Sequence, residues 1–476
     1  MHDKFLTLKR ASYVAFAAMA VLLLLALVYF KERALFIDSS YVLFNIVNKG
    51  ELMIQENRFG SFITQIIPWI GAKLHLPMKF ILISYTTSFN VFYLLVISIL
   101  VFRFRQYGLA ILMSLYHLLF VTDTFFWTNN EVHQGIAWMF LMLGFTLHAG
   151  KQGWNNVLLI TAFIVFGILA ASSHMLVIMP LTFLWFYVIF DCDICPFNRT
   201  KTIMLTALLL VIVWFKYHYS VSQPYDGQKL KASSDFTFKY LYEVAIGTFG
   251  TDFIKLCIKV YWIVPVTFIL GMYSLLKDKR YLQSVMVVGA ALLYYLFMCL
   301  TFSNTYYMHR FHIESEWMGL AIITSAPFVF SYLPKLKPNV AMLVLVGIVS
   351  IKLAYIIRSS SFFVQRQQFI AQVLDKMKEK QVYKLALQPD KRIEEKLILD
   401  WATPEESILL SAFNNDEPRR TFVVLPGMNV TEAALKSNRN LIITYTNIEP
   451  QDVNNEYFNI NRDTCYAVMT YDELMK

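Results

Sequence analysis

The side chains able to do chemistry sit in a few polar stretches between long apolar runs. The first stretch is Leu35-Phe36-Ile37-Asp38-Ser39-Ser40-Tyr41, continuing to Asn48-Lys49-Gly50-Glu51. Asp38 fits two roles. It is either the N-cap of a short helix over 39–48, or a carboxylate at the mouth of a cavity that takes a proton from a hydroxyl or amine. The second stretch, 122–134, ends in Asn129-Asn130-Glu131-Val132-His133-Gln134, just before an apolar run. Carboxylate, imidazole and amides at that spacing suit hydrogen bonding to a sugar or a phosphate. An interfacial aromatic belt with a capped helix start is the other reading. His174 falls in a turn between two apolar runs, as a structural residue or as a ligand-facing imidazole.

The stretch 304–317 holds His309, Arg310, His312 and Glu314, and Arg310 is its only Lys or Arg. A planar guanidinium suits phosphate, with a histidine on either side. Alternatively, Arg310 and a glutamate merely tie loops together. Residues 220–255 contain Gln223-Pro224-Tyr225-Asp226-Gly227 and lead toward an amphipathic helix near 236–248, in a position to gate a site.

These residues must be positioned by something apolar. The chain has 476 residues, 57% hydrophobic and only 16% charged, with mean hydropathy +0.50. Soluble chains carry about 25% charged residues. Apolar runs fall near 11–30, 79–102, 107–122, 135–149, 156–172, 174–190, 202–219, 256–276, 282–302, 316–333 and 338–357. A perpendicular span takes about 20 residues, so 156–190 is too long for one, and Ser172-Ser173-His174 divides it. The first run has no small-residue cleavage pattern before Lys31-Glu32-Arg33 and is expected to be retained as a span.

The fold expected is therefore a polytopic α-helical membrane protein of about eleven spans over 1–357. A small soluble α/β domain is expected over 358–476. With the N-terminus inside, alternate loops carry Lys4/Lys9/Arg10, Arg103/Arg105, Lys151, Arg199/Lys201, Lys277/Lys279/Arg280 and Lys335/Lys337. Each contains a Lys or Arg, as cytoplasmic loops do. That assigns the excess positive charge to membrane topology rather than to nucleic-acid binding. An odd number of spans puts the C-terminal part outside, which in a bacterial inner membrane means the periplasm. Twelve of the 16 acidic residues before 358 then lie outside, near span ends.

Two amphipathic segments over 38–76 would lie at the bilayer surface. The first has Val42, Leu43, Ile46 and Val47 on one face, with Gly50 as its stop. The second runs from Phe59 to Leu76. In the C-terminal part, strands are expected at 383–387, 421–425 and 441–444. Helices are expected at 358–380, 404–413 and 430–437, with Thr403-Pro404-Glu405-Glu406 as a good helix start. This part has no nucleophile elbow, P-loop or metal motif. Cys192-x-x-Cys195 is a lone pair without a second one nearby, Cys465 is expected to be buried, and Asn429-Val430-Thr431 is an incidental sequon.

The stretch Asp38-Ser39-Ser40-Tyr41, with Ile46 and Asn48-Lys49-Gly50-Glu51-Leu52-Met53-Ile54, resembles the first external loop of the GT-C superfamily of membrane glycosyltransferases. The bacterial lipid A aminoarabinose transferases and the protein mannosyltransferases belong there. In that family the place holds Asp, often a second acid, then Tyr, a helix and a Gly-acid turn; here Ser39 replaces the second acid. The resemblance implies transfer of a sugar from a polyprenyl-phosphate donor to a lipid, glycan or protein acceptor on the external side, by inverting displacement at the anomeric carbon. It gives Asp38 the base role beside Tyr41. Arg310, with His309, His312 and Glu314 around it, would meet the leaving phosphate, and Glu131, His133 and His174 would hold sugar hydroxyls. No G-x-G-x-x-G marks a nucleotide-sugar site. No metal ligands are assigned, and a divalent ion is left open. The competing classes are a transporter or flippase of lipid-linked or envelope glycans, and a non-catalytic envelope assembly protein.

Overall fold

A computed structural model describes residues 2–191, 194–232, 237–302, 309–427, 430–438 and 440–476. Cys192, Asn304 to Met308 and Asn429 lie outside these.

The chain is a helical membrane protein. Among the described residues seven helices are long and apolar enough to span: Lys4–Val28, Met78–Arg103, Asn156–Ser173, Arg199–Ser222, Tyr281–Phe302, Arg310–Lys335 and Pro338–Glu379. Phe238–Lys259 and Ile263–Lys277 would together make an eighth, but they meet at 84°. Seven or eight of the eleven expected spans are thus met among the described residues by length and apolarity. The rest of the apolar signal has a different cause. Tyr107–Leu119 is buried at every position, so it is apolar all round because protein, not lipid, encloses it. Glu131–Gln152 is long enough to span, yet it buries Glu131, His133, Gln134 and His148, which dilute its hydropathy.

The boundary expected at 357/358 is no break. Pro338–Glu379 is one helix of 42 residues, about 63 Å long at 1.5 Å per residue, against a hydrocarbon core of about 30 Å. Its second half carries the chain into a mixed C-terminal part. There β1 (Lys384–Leu387) lies between β2 (Thr421–Val424) and β5 (Ala467–Met469), all parallel, with Lys384 opposite Thr421 and Leu385 opposite Ala467. β3 (Leu441–Ile443) and β4 (Thr446–Ile448) form a separate hairpin. Helix Thr403–Phe413 makes the crossover between β1 and β2. It is buried from Thr403 to Ala412 because the sheet lies on one side and the first loop helix on the other. Cys465, expected to be buried, is exposed, its thiol donating to the Lys436 carbonyl at 3.1 Å.

The first loop helix, Asp38–Lys49, stops at Gly50, whose φ of 63° suits a residue without Cβ. Its apolar face does not lie on a membrane surface. Ser39, Ser40 and all of Val42–Val47 are buried. Phe44 meets Phe458 at 5.0 Å, and Asn454 bonds Asn48 Oδ1 at 2.8 Å and the Val47 carbonyl at 3.0 Å. The C-terminal part therefore roofs the loop helix. One hydrophobic cluster runs from the spans through that helix into the C-terminal residues. The second segment divides into a 3-10 helix, Phe59–Gln65, and an α-helix, Ile66–Lys73. Its Phe59, Ile67 and Ile70 are exposed, which leaves this segment the one able to meet lipid.

Candidate functional site

A cavity of about 620 Å³ opens at the end of the bundle that carries the loop helices. Asp38, Arg58, Glu131, His174 and His312 line it, together with Trp127, Tyr225, Trp401 and Tyr445. These four aromatic residues and a fifth, Phe302, come from separate segments, so the cavity exists only once the chain is folded.

Asp38 is not a helix cap. Ile37 occupies the N-cap place, and no side chain caps this helix. Ile37 has φ 37° and ψ −113°, a conformation β-branched residues avoid at a cost of roughly 1–3 kcal/mol. The C-terminal part holds it there. Ile37 N donates to Glu406 Oε1 at 2.9 Å, and Glu406 is ion-paired with Arg366. Arg366 also bonds the carbonyls of Leu397 and Leu399, and Gln367 bonds that of Leu35 at 2.8 Å. Both members of the Arg366–Glu406 pair are fully buried, so losing either would strand a charge. This bracket aims Asp38 into the cavity.

The Asp38 carboxyl is half-buried and lines the cavity. Burial and, second to it, the nearby Glu131 charge push its pKa up to about 7, against the opposite pull of Trp127, its own backbone N–H and Arg58. Ser39 Oγ accepts from Asn129 N at 3.2 Å, and Asn129 Nδ2 reaches Gln55 Oε1 at 3.0 Å. The second polar stretch is thus stitched to the Asp38 helix.

Arg58 is the cation of the cavity, and the sequence reading did not single it out. It follows Glu56 and Asn57, both in the left-handed region at φ 47° and 53°, a tight reversal that swings the side chain inward. Its guanidinium is 3.2 Å from Glu131 and 3.2 Å from Asp226, and 5.7 Å from the centre of the Tyr225 ring. Burial works against the charge, but Glu131 and Asp226 outweigh it and hold the Arg58 pKa above its ordinary value. Nε is buried and has no hydrogen-bond partner. Asn130 caps helix Glu131–Gln152, accepting from Val132 N at 3.0 Å. Glu131 in that first turn therefore faces the positive end of a 22-residue helix. Asp226 reaches the site from Pro224–Ala232, so this segment latches onto the cavity through Arg58.

His174 Nδ1 accepts from Leu176 N at 3.1 Å, capping a 3-10 turn while the residue lines the cavity. The His312 ring packs edge-on against Trp127 at 5.2 Å. Tyr41 sits behind the rim, edge-on to Tyr445 at 5.2 Å.

The other expected residues are elsewhere. His133 points away from Glu131, as neighbours two apart on a helix must. It meets Tyr116 OH at 3.1 Å and packs against His117 in a separate internal pocket of about 30 Å³. Arg310 does not line the cavity. It forks onto Asp123, with Nε–Oδ2 at 2.8 Å, and Asp123 also takes the Ser359 hydroxyl. Glu314 accepts from Thr122 N at 2.9 Å, Thr124 N at 2.8 Å and Tyr261 OH at 2.7 Å. These contacts match the loop-tying reading, not the phosphate-facing one. His309 stacks on Phe311 at 5.7 Å, and burial lowers its pKa.

No group of three or more His, Cys, Asp or Glu among the described residues is arranged to hold a metal ion. Comparison of the chain with protein-family models, with curated proteins and with solved structures finds no match.

Proposed function

We propose that this protein is an integral membrane glycosyltransferase that moves a sugar from a polyprenyl-phosphate donor to an acceptor at the external end of the bundle. The observation that carries this reading is one cavity in which a carboxylate titrating near neutrality, Asp38, stands with a buried arginine, Arg58, among five aromatic side chains. A base is most useful when its pKa lies near the working pH. A buried guanidinium with an unpartnered N–H suits a phosphate that gains charge as it leaves. Aromatic walls with a few fixed polar groups suit a ring bearing hydroxyls.

In this mechanism the acceptor oxygen attacks the anomeric carbon while its proton passes to Asp38. The bond from that carbon to the phosphate oxygen breaks, and the phosphate leaves with the electron pair. The configuration inverts. Arg58 takes the role that the family resemblance gave to Arg310. Glu131 keeps Arg58 oriented, and His174 and His312 face the sugar. Placing the N-terminus in the cytoplasm and the C-terminal part in the periplasm of a bacterial inner membrane completes the reading.

Transport is the second reading, favoured by one observation. Lys352 within the long helix is fully buried, with Nζ unpartnered between the rings of Tyr261 and Tyr355 at 5.1 and 5.4 Å. Unpaired charge at that depth is rarely idle. Incubating the purified chain with polyprenyl-phosphate sugars separates the two. Release of polyprenyl phosphate with a glycosylated or hydrolysed product is expected. Substrate-driven flux in liposomes without bond cleavage would overturn the enzyme reading.

A further inference from the structure

Helix Glu131–Gln152 begins at the cavity just described and ends at another. From residue 131 to 148 it rises about 26 Å, close to the thickness of a hydrocarbon core. At that far end a cavity of about 630 Å³ is lined by Arg103, Arg105, Gln106, His148, Lys151 and Trp154, among others, and none of its lining residues is acidic.

The backbone has to leave regular geometry to build it. Helix Met78–Ser98 does not simply stop; it loosens into a π-helical turn, Ile99–Arg103. Such turns recur at functional sites because they turn side chains off the regular helical face. Arg105 then adopts φ 53°, left-handed and unfavourable for a residue with a Cβ. Gln106 follows as N-cap of Tyr107–Leu119, whose first turn receives no side-chain cap. His148 stacks on Phe104 at 5.1 Å and meets Trp154 edge-on at 5.5 Å.

Two simpler accounts explain part of this. Basic residues flank spans on the inner side, and cations favour helix C-termini. Both explain Arg103, Arg105 and Lys151 as charges. Neither explains a cavity with no carboxylate in its wall, nor Gln106. That residue is 7% exposed, lines the cavity, and its Nε2 is buried without a hydrogen-bond partner. A buried amide donor left unmade is costly, unless something supplies the acceptor.

We propose that this cavity binds a phosphate group, carried by a lipid headgroup or free in solution, with Arg103 and Arg105 supplying charge and Gln106 Nε2 a hydrogen bond. Phosphate offers several acceptor oxygens and no donors, which is the complement of this wall. The site lies at the opposite end of the bundle from Asp38 and does not depend on what Asp38 does.

The test uses the full chain purified in a neutral detergent. One arm titrates inorganic phosphate against sodium chloride at matched ionic strength. The other reconstitutes the protein in phosphatidylcholine nanodiscs with and without phosphatidylglycerol. Binding is read by melting-temperature shift and by native mass spectrometry. Saturable stabilisation by inorganic phosphate identifies a soluble ligand, whereas retention of phosphatidylglycerol alone identifies a headgroup. In either case the Arg103→Gln/Arg105→Gln double variant should bind at least about tenfold more weakly. Gln106→Leu should also bind more weakly while melting no lower than wild type without ligand, because its amide has no protein partner to lose. Binding in neither arm, or binding that both variants leave unchanged, would overturn the proposal.

Discussion

Two arginines near the same end of the bundle each sit between two carboxylates, and their surroundings differ. Arg58 pairs with Glu131 and Asp226, lines the large cavity and keeps a buried Nε without a partner. Arg310 pairs with Asp123 and lies 4.0 Å from Glu314, whose oxygens are occupied by Thr122, Thr124 and Tyr261. In the second cluster the carboxylates are saturated, Glu314 by two backbone N–H groups and three hydroxyls and Asp123 by Arg310 and the Ser359 hydroxyl. It holds segments together and has little left to offer a ligand. In the first, the carboxylates bind only side chains, and part of the arginine remains uncommitted. Residue type is the same in both. What separates them is whether hydrogen-bonding capacity is left over and faces open space.

The largest effect that would test this contrast lies at Asp38, which needs Arg58 rather than Arg310 as its electrostatic partner. Asp38→Asn should lower kcat on the order of 10³-fold, the scale of a lost general base, as measured with a polyprenyl-phosphate sugar donor. The same variant should be the more stable protein at neutral pH. The folded-state pKa of about 7 lies above the ordinary 3.8, so the folded chain holds the proton more tightly between those values. Stability of the wild type should therefore fall as pH rises from about 4 to 7 and level off above. The melting-temperature gap to Asp38→Asn should open over that window. Activity should move the opposite way, with kcat/KM rising through a pH near 7 as the base ionises. A variant that melts lower than wild type at pH 8 would contradict the burial argument.

Next comes the direct comparison. Arg58→Gln should cost about 10²-fold or more in kcat, as for loss of a transition-state charge partner. Arg310→Gln should stay within a few-fold, because its half-exposed side chain pairs only at the loop. Equal losses would erase the distinction drawn here. Glu314→Gln should then show the structural character of the second cluster. It should destabilise by about 2–3 kcal/mol, through weaker bonds to buried N–H and hydroxyl groups, with kcat within a few-fold when assayed well below the melting temperature. The smallest effect belongs to Asp226. Asp226→Asn should loosen the segment that latches onto Arg58 and raise KM several-fold with kcat nearly kept, which steady-state kinetics would separate.

Part of this was legible in the residues themselves. Asp38, Glu131, His174 and His312, each noted from the sequence, line one cavity, since polar side chains at span ends must collect where the bundle ends. The stop at Gly50 was legible from a residue that tolerates positive φ. Strands near 384–387, 421–424 and 441–443 stand where short apolar runs suggested them. Arg58 was not legible, because it lies in an unremarkable polar connector and acquires its partners from residues 73 and 168 positions away. Trp401 and Tyr445 were missed for the same reason: nothing local says that the C-terminal part walls the cavity. Among the described residues eight of the eleven expected spans at most meet the length and apolarity of a span, because an apolar run says only that a segment avoids water. Tyr107–Leu119 satisfies that condition inside protein.

By itself, then, the sequence determined solvent preference: which segments leave water, where polar residues interrupt them, and on which side basic loops gather. Those follow from transfer free energies that each segment carries alone. Only the tertiary structure decided which polar residues meet. It set Arg58, not Arg310, beside Asp38, turned His133 away from Glu131, and used Glu406 and Arg366 to hold Ile37 in a conformation its own side chain disfavours. Such choices depend on close packing and on completing buried hydrogen bonds among segments hundreds of residues apart, and no single segment contains that information.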